Sequence, residues 1–512
     1  MKPTTCRLLA VGALLLAPLA AAYAWEPGGK DLDAATRSGD FSGYFAGLSA
    51  WLNQKTPASA SDAALKALLE DPGFANALDQ WQLISKTGAE KLGAFAKADA
   101  AHQAFLAWLL RNTQAMDLYL EAAVPLGTAA REQNKYTLPV ATLEIWKSIL
   151  NADPDAKEGL YLKLAIATAI RPPGTGNRGA GMSKTPVDPV DRYKHFKAAH
   201  KNKERFPSFE NLTVWEYQHV VSSCASDSDL AWAREMINTW RPDLRVNELV
   251  VNSTSEVWRR NSPHPYTDYK SVLSGGGKCG PRSSWAVMIC QAFGIPAIGV
   301  GQPAHGCVAY RAANPFTEPQ PGSAWKVGYG RGWHVSKLEG MAGPDFLAGV
   351  EERARGVEFS TVEHLRWLAS ALALPEQAAA VMGLARGIQK AAGFSNILGV
   401  RLYDCFTGGK QVNFEKNIKE SWIEYTLDVP AAGIYSIELR TATPNDEQVL
   451  DISSGAQKLA TVKVLNTAGL WGTTPTADIR LEKGTQTLRI SAPFQRGIAV
   501  RWFGLTPKGT DK

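Results

Sequence analysis

Hydrophobic periodicity changes character along this chain, and no single core satisfies both patterns. From about Asp31 to Ile170 apolar residues return every three or four positions, in SASDAALKALLE, AEKLGAFAKADAAHQAFLAWLLRNTQAMDLYLEAA and LEIWKSILNADPDAKEGLYLKLAIATAI. That spacing is the mark of amphipathic helices packed in pairs. From Leu402 onward the period is two, in WIEYTLDV, IYSIELRTA, LATVKVL, DIRLE, QTLRIS and AVRWFGL, as a β-sandwich requires. Between about Asn261 and Lys337 a Gly-rich turn, one helix and the short strands AIGVG, CVAYR and WKVGY are separated by Pro and Gly, and residues 345–400 are helical again. The expected fold is multidomain α+β: a helical region over 25–245, an α+β core with trailing helices over 246–400, and an all-β sandwich of jelly-roll type over 401–512. At 512 residues the chain is long enough for several such units, and 45% hydrophobic with 20% charged residues excludes disorder for most of it. The stretch RPPGTGNRGAGMSKTPVDP, residues 171–189, reads as a long exposed loop, either a plain connection or a lid.

Residues 1–24 carry Lys2 and Arg7, the apolar run LLAVGALLLAPLAAA and the small-x-small end Ala22-Tyr23-Ala24, which together read as a secretory signal peptide cleaved before Trp25. The run is shorter than a bilayer-spanning helix needs, so no permanent membrane anchor is expected and the mature chain is placed in a periplasm or outside the cell. Formal charge is +6, about +4 without the leader, too small and diffuse for a nucleic-acid partner. Cleavage leaves Cys224, Cys279, Cys290, Cys307 and Cys405. Five thiols cannot all pair within one chain in an oxidising compartment. No spacing matches a structural zinc site, no nucleotide-binding loop is present, and neither a cofactor nor a metal is expected.

The segment HPYTDYKSVLSGGGKCGPRSSWAVMICQAFGIPAIGVGQPAHGCVAYR holds the candidate chemistry. Cys279 follows Gly275-Gly276-Gly277-Lys278 at the head of an apolar helix expected from about Ser283 to Phe293. Free N–H groups and the positive end of the helix dipole favour a thiolate there, and glycines let a substrate approach. His305 opens the strand HGCVAY and is placed to act as general base and acid. Gly277-Lys278-Cys279, Gly294-Ile295-Pro296-Ala297 and His305, in that order and over roughly 75 residues, resemble the core of the transglutaminase-like superfamily of papain-type cysteine enzymes. The resemblance implies Cys279 as nucleophile and His305 as its partner. That family usually places an Asp on the following strand near a Gly-Trp, and this chain departs from it: Gly332-Trp333-His334-Val335-Ser336-Lys337 stands there, with no Asp between His305 and Asp345. His334, Ser336 or Asn314 is left to orient the ring. Arg282 and Trp333 are candidate substrate contacts, Arg282 toward a carboxylate or sugar hydroxyls, with a surface ion pair as its alternative. Cys290, about three helical turns beyond Cys279, is not expected to bridge to it, and Cys307 reads as a structural thiol on the face of the strand that His305 shares. Trp285 and Met288 read as core.

Trp422-Ile423-Glu424-Tyr425, Pro430-Ala431-Ala432-Gly433-Ile434-Tyr435, Leu439-Arg440-Thr441-Ala442 and Asn466-Thr467-Ala468-Gly469-Leu470-Trp471 resemble family-six-type carbohydrate-binding modules over most of residues 405–507. The resemblance implies a jelly-roll sandwich and a sugar ring stacked on Trp471, with Trp422 and Tyr435 in the core. The acidic opening strand of those modules is missing, which leaves a calcium site without support. Three functions fit: a secreted cysteine enzyme hydrolysing or transferring an amide or peptide acyl group while tethered to a glycan or cell-wall polymer, a polysaccharide-degrading enzyme using the same cleft, and a non-catalytic glycan-binding protein.

Overall fold

A computed structural model of the chain describes residues 25–57, 62–126, 131, 133–176, 186–246, 249–258, 268–312, 325–391, 396–398, 400–404, 410–414, 421–443, 445–468, 470–493 and 497–509. The leader, Asn314, Cys405 and residues 177–185 of the long loop lie outside the described residues.

The first half is helical. The elements used below are α1 (Pro72–Thr87), α2 (Thr113–Ala123), α3 (Pro189–Lys201), α4 (Val214–Val221), α5 (Cys279–Ala292), α6 (Gly343–Arg353) and α7 (Val357–Ala371). The apolar stretch over 89–123 is three helices, Ala89–Lys97, Ala100–Leu109 and α2. Asp99 and Asn112 break it by accepting bonds from the His102 and Ala115 backbone N–H groups at 2.9 and 3.0 Å. Each side chain satisfies a donor that a starting helix leaves orphaned.

One hydrophobic core runs from Leu32 through Trp146 and Trp285 to Trp367 and Ala385. The helices on either side of residue 246 are therefore packed into a single body, and α7 closes over the N-terminal helices. Trp285 and Met288 belong to it, as expected. No helix among the described residues is long and apolar enough to cross a membrane.

A mixed-length antiparallel sheet follows α5, with strands β1 (Ala297–Gln302), β2 (His305–Arg311), β3 (Trp325–Gly328), β4 (Lys337–Leu338) and β5 (Met341–Ala342) in the order β3-β2-β1-β4-β5. β1 and β2 form a tight hairpin in which Gln302 pairs with His305 across Pro303-Ala304. Proline presets the first turn residue, and Ala304 takes a positive φ of 51° at the second. One face of the sheet meets α5, where the Ser283 hydroxyl donates to the Cys307 carbonyl at 2.6 Å. The other face buries Ile298, Val300, Cys307, Trp325 and Leu338 against Trp215 of α4 and Phe346 of α6.

The sandwich begins at Asn396, ahead of residue 401, where β6 (Asn396–Leu398) pairs with β9 (Trp422–Val429). With β7 (Val400–Asp404), β8 (Lys410–Phe414), β10 (Gly433–Ala442), β11 (Gln448–Ser454), β12 (Gln457–Val464), β13 (Gly472–Thr473), β14 (Ala477–Leu481), β15 (Gly484–Ser491) and β16 (Ile498–Gly509) it builds two sheets. Their orders are β13-β10-β16-β8-β7, with β14 also on β10, and β12-β11-β15-β9-β6. The alternation read in the sequence is the burial pattern of β10, whose alternate residues Tyr435, Ile437 and Leu439 enter the shared core with Ile452, Ile479 and Ile490.

Candidate functional site: the Cys279 helix end and the sandwich rim

Helix α5 starts at Cys279 itself, a full turn before the position expected from its apolar run. Pro281 in the first turn causes no break, because the N–H it lacks would have no helical acceptor. The N-cap is Lys278, and no side chain caps the helix. The approach is fixed by the Gly277 N–H, which donates to the Val257 carbonyl at 2.9 Å, and by Gly276 at a φ of 71°, where a Cβ would be strained. The positive end of α5 thus meets whatever charge develops beside the Cys279 sulfur.

Strand β2 passes this helix end closely. A Cβ built on Gly306 would stand 3.5 Å from the Cys279 carbonyl oxygen, so the residue next to His305 abuts the cysteine main chain. The His305 ring is tied by Nε2, 3.1 Å from the main-chain carbonyl of Tyr329. A carbonyl only accepts, so Nε2 carries the hydrogen and Nδ1 of the neutral ring is the free basic nitrogen. Tyr329, just past β3, also sets its ring edge-on to the imidazole at 6.2 Å.

The position of that carbonyl is set by packing. Gly330 lies so near β2 that a Cβ there would meet Val327 at 2.5 Å and the Cys307 sulfur at 2.8 Å. Gln302, buried at the hairpin end, accepts from the Arg331 N–H at 2.9 Å and donates from Nε2 to the Ser336 hydroxyl at 2.9 Å and the Gly332 carbonyl at 3.2 Å. Tyr329 and Gln302 are therefore parts of the site that the sequence reading missed. A main-chain acceptor leaves no side-chain signal, and Gln302 reads only as a strand end.

The expected orienting residues stand elsewhere. Ser336 bonds Gln302 and the Gly332 carbonyl. His334 is exposed on the short 3₁₀ turn Trp333–Val335, folded back over Gly332. Trp333 is half-buried and stacks on Phe346 at 5.9 Å. Arg282 lies between two rings, its guanidinium 4.3 Å from the Tyr329 centroid and 5.5 Å from that of Trp258, with Nη2 3.5 Å from the Thr254 hydroxyl.

Cys224, Cys279, Cys290 and Cys307 are all free thiols. Cys290 and Cys307 are buried, and burial pushes Cys307 up to about 11 and Cys290 higher still. Both are protonated and unreactive near neutrality, whereas Cys279 is half-buried at a helix end.

At the sandwich, Trp471 is half-buried beside the exposed Leu470, directly before β13. β13 pairs Gly472 with Thr441 and Thr473 with Arg440. Three connections meet at this end: the Thr467 N–H donates to the Thr443 carbonyl at 2.9 Å, and the Thr443 hydroxyl to the Gly497 carbonyl at 2.8 Å. Polar pairs lie on the segments next to Trp471 in sequence and pairing, with Asn466 bonded to Asp446 at 3.1 Å and Arg440 to Thr473 at 3.1 Å. Tyr435 is core. Trp422 is only half-buried and carries the Arg489 guanidinium 4.1 Å above its ring.

The sandwich is where the comparisons with known proteins fall. The model of the family "carbohydrate binding module (family 6)" matches residues 390–507. Among solved structures, the chain is similar to the C-terminal family 6 module of a marine laminarinase from Zobellia galactanivorans, with 24% identity over 22% of this chain and 93% of that one and a TM-score of 0.21. It is similar also to a family 6 module of lichenase 5A from Cellvibrio mixtus in complex with cellotriose, with 24% identity over 23% and 92% and a TM-score of 0.21. A β-1,3-glucan-binding family 6 module from Bacillus halodurans gives 21% identity over 22% and 90% and a TM-score of 0.19. No curated protein matches the chain.

Proposed function

We propose that this chain is a secreted, transglutaminase-like cysteine enzyme that cleaves or transfers an amide or peptide acyl group, with its family 6 sandwich holding it to a glycan-bearing surface such as a cell wall. The observation that carries the reading is the placement of His305: it opens a strand whose next residue abuts Cys279, with Nε2 engaged by the Tyr329 carbonyl at 3.1 Å and Nδ1 left free.

In this reading Nδ1 takes the Cys279 proton and the sulfur attacks the substrate carbonyl carbon. As the tetrahedral species collapses, the C–N bond breaks and the imidazolium returns the proton to the departing amine. Water or a second amine then displaces the thioester by the same steps in reverse. The uncapped N–H groups of α5 point toward the developing oxyanion. The third member of the triad is a neutral carbonyl, which holds the tautomer but stabilises the imidazolium less than a carboxylate does. Glycan binding at the sandwich is supported by the family match and by the partly exposed Trp471, whose flat face suits a pyranose.

The test is turnover of peptide, peptidoglycan and polysaccharide substrates by the Cys279→Ala and Trp471→Ala variants. Cys279→Ala is expected to lose amide cleavage altogether. Trp471→Ala keeps cleavage of a soluble peptide but loses retention on an insoluble glycan. Polysaccharide cleavage that survives in Cys279→Ala contradicts the reading.

A further inference from the structure

Away from the thiol site, three helices distant in sequence bring acidic and imidazole groups together. Asp79 on α1 is wholly buried, and neither of its carboxylate oxygens has a hydrogen-bond partner. Asp117 on α2 is 36% exposed at the side chain and opens the cluster to solvent. His364 on α7 stands between them, its Nε2 2.9 Å from Asp117 Oδ1 and 3.4 Å from Asp79 Oδ1. One ligand atom from each of the three lies within 4.8 Å of the others.

The imidazole is oriented as a ligand. Its Nδ1 lies 2.8 Å from the Ser360 carbonyl one turn earlier on α7. That carbonyl accepts, so Nδ1 holds a hydrogen in either charge state and Nε2 faces the two carboxylates, which favour the protonated ring when no metal is bound; a metal would take the place of the Nε2 proton, with the Nδ1 bond as the outer-shell contact usual for metal-bound histidine. Glu121 adds a further negative charge one turn beyond Asp117, on the same face of α2. Arg353, which acts on Glu121, donates its guanidinium to the main-chain carbonyls of Glu121 and Val124. A proton on Nε2 can serve one carboxylate at a time and leaves Asp79 Oδ2 with nothing. A metal about 2.0–2.2 Å from each donor places the donors about 3.0–3.5 Å apart; the imidazole stands 2.9 and 3.4 Å from the two carboxylates and all three donor atoms lie within 4.8 Å of one another, so small side-chain shifts close the set.

We infer that Asp79, Asp117 and His364 form a binding site for one divalent transition-metal ion of the zinc(II) type, which pins α7 to α1 and α2. One nitrogen and two oxygen donors suit such a borderline ion better than a soft one. The site was not visible in the sequence, where no metal was expected, because its ligands come from three separate helices.

The experiment uses the full mature chain, stripped with chelator and titrated with ZnCl2 and CoCl2 while calorimetric stoichiometry, the cobalt visible spectrum and Tm are read. The expected result is one equivalent bound, a raised Tm, and cobalt bands without thiolate charge transfer. Asp79→Asn and Asp117→Asn should each weaken binding about tenfold or more, and Cys279→Ala should not change it. Asp117 is partly exposed, so its variant folds and far-UV circular dichroism verifies that. Absence of binding in the native chain, or binding that Asp117→Asn leaves unchanged, overturns the site.

Discussion

Ala304 and Tyr329, on either side of the His305 ring, both take positive φ, 51° and 41°, a region that costs a residue with a Cβ about 1 kcal/mol. Strain on both neighbours of one imidazole is maintained by what surrounds it, namely the Gln302 clamp and the seating of Gly330 on the Cys307 sulfur. Gly330→Ala tests this directly. Its methyl would overlap Val327 and Cys307 and push the Tyr329 carbonyl off Nε2. The variant is expected to lose about 1–3 kcal/mol in urea unfolding and to cleave amides more slowly; unchanged midpoint and rate would refute the role given to this contact. Cys279 and His305 could be put forward from the sequence because their proposed chemistry is in the side chain. The acceptor that orients His305 is a main-chain oxygen, which every residue carries, and sequence patterns look instead for an Asp, His or Ser.

At the scale of elements, period and turn residues revealed most strands and helices, while their ends depended on local bonds. The segment over 89–123 has one apolar rhythm but three helices, since Asp99 and Asn112 cap new starts within it. Strand β11 went unread: Pro444 to Glu447 before it and Ser453 to Gly455 after it look like turns, and the buried Gln448 is polar. Two helices carry a pH consequence. His195 on α3 accepts from Arg234 at 3.2 Å, and His219 on α4 accepts from Arg171 at 3.2 Å. Burial first, then Arg234, Arg205 and Arg192, push His195 down to about 2; burial, then Arg171 and Arg353, push His219 well down. Both stay neutral in the fold but gain protons near pH 6.5 when unfolded. The unfolded state therefore binds more protons below that pH, and stability falls as pH drops from about 6.5, by about 1.4 kcal/mol per unit for each ring. Asp79, Glu121 and His364 are shifted up and slope the other way over the same range, so the check is a comparison: the denaturant midpoint should drop more between pH 7 and 5 in the native chain than in His195→Gln, and an equal change in both would count against it.

Among the described residues the buried apolar side chains fall into three clusters, one running from Leu32 to Ala385, one between the β1–β5 sheet and helices α4 and α6, and one within the sandwich. The division between helical and β halves was readable because the two periods cannot share a core. The merging of the helical region with the Cys279 segment was not, since periodicity gives the apolar face of a helix and not its neighbour. The proposed chemistry requires Cys279 and His305 to work as a pair on the larger body. The direct measurement is peptide mapping after brief exposure of the native chain to iodoacetamide at neutral pH, with the His305→Gln variant alongside. Cys279 should be alkylated well ahead of Cys290 and Cys307, and about tenfold or more slowly once His305 is replaced. Alkylation of Cys279 no faster than of the two buried thiols, or at a rate indifferent to His305, would contradict it.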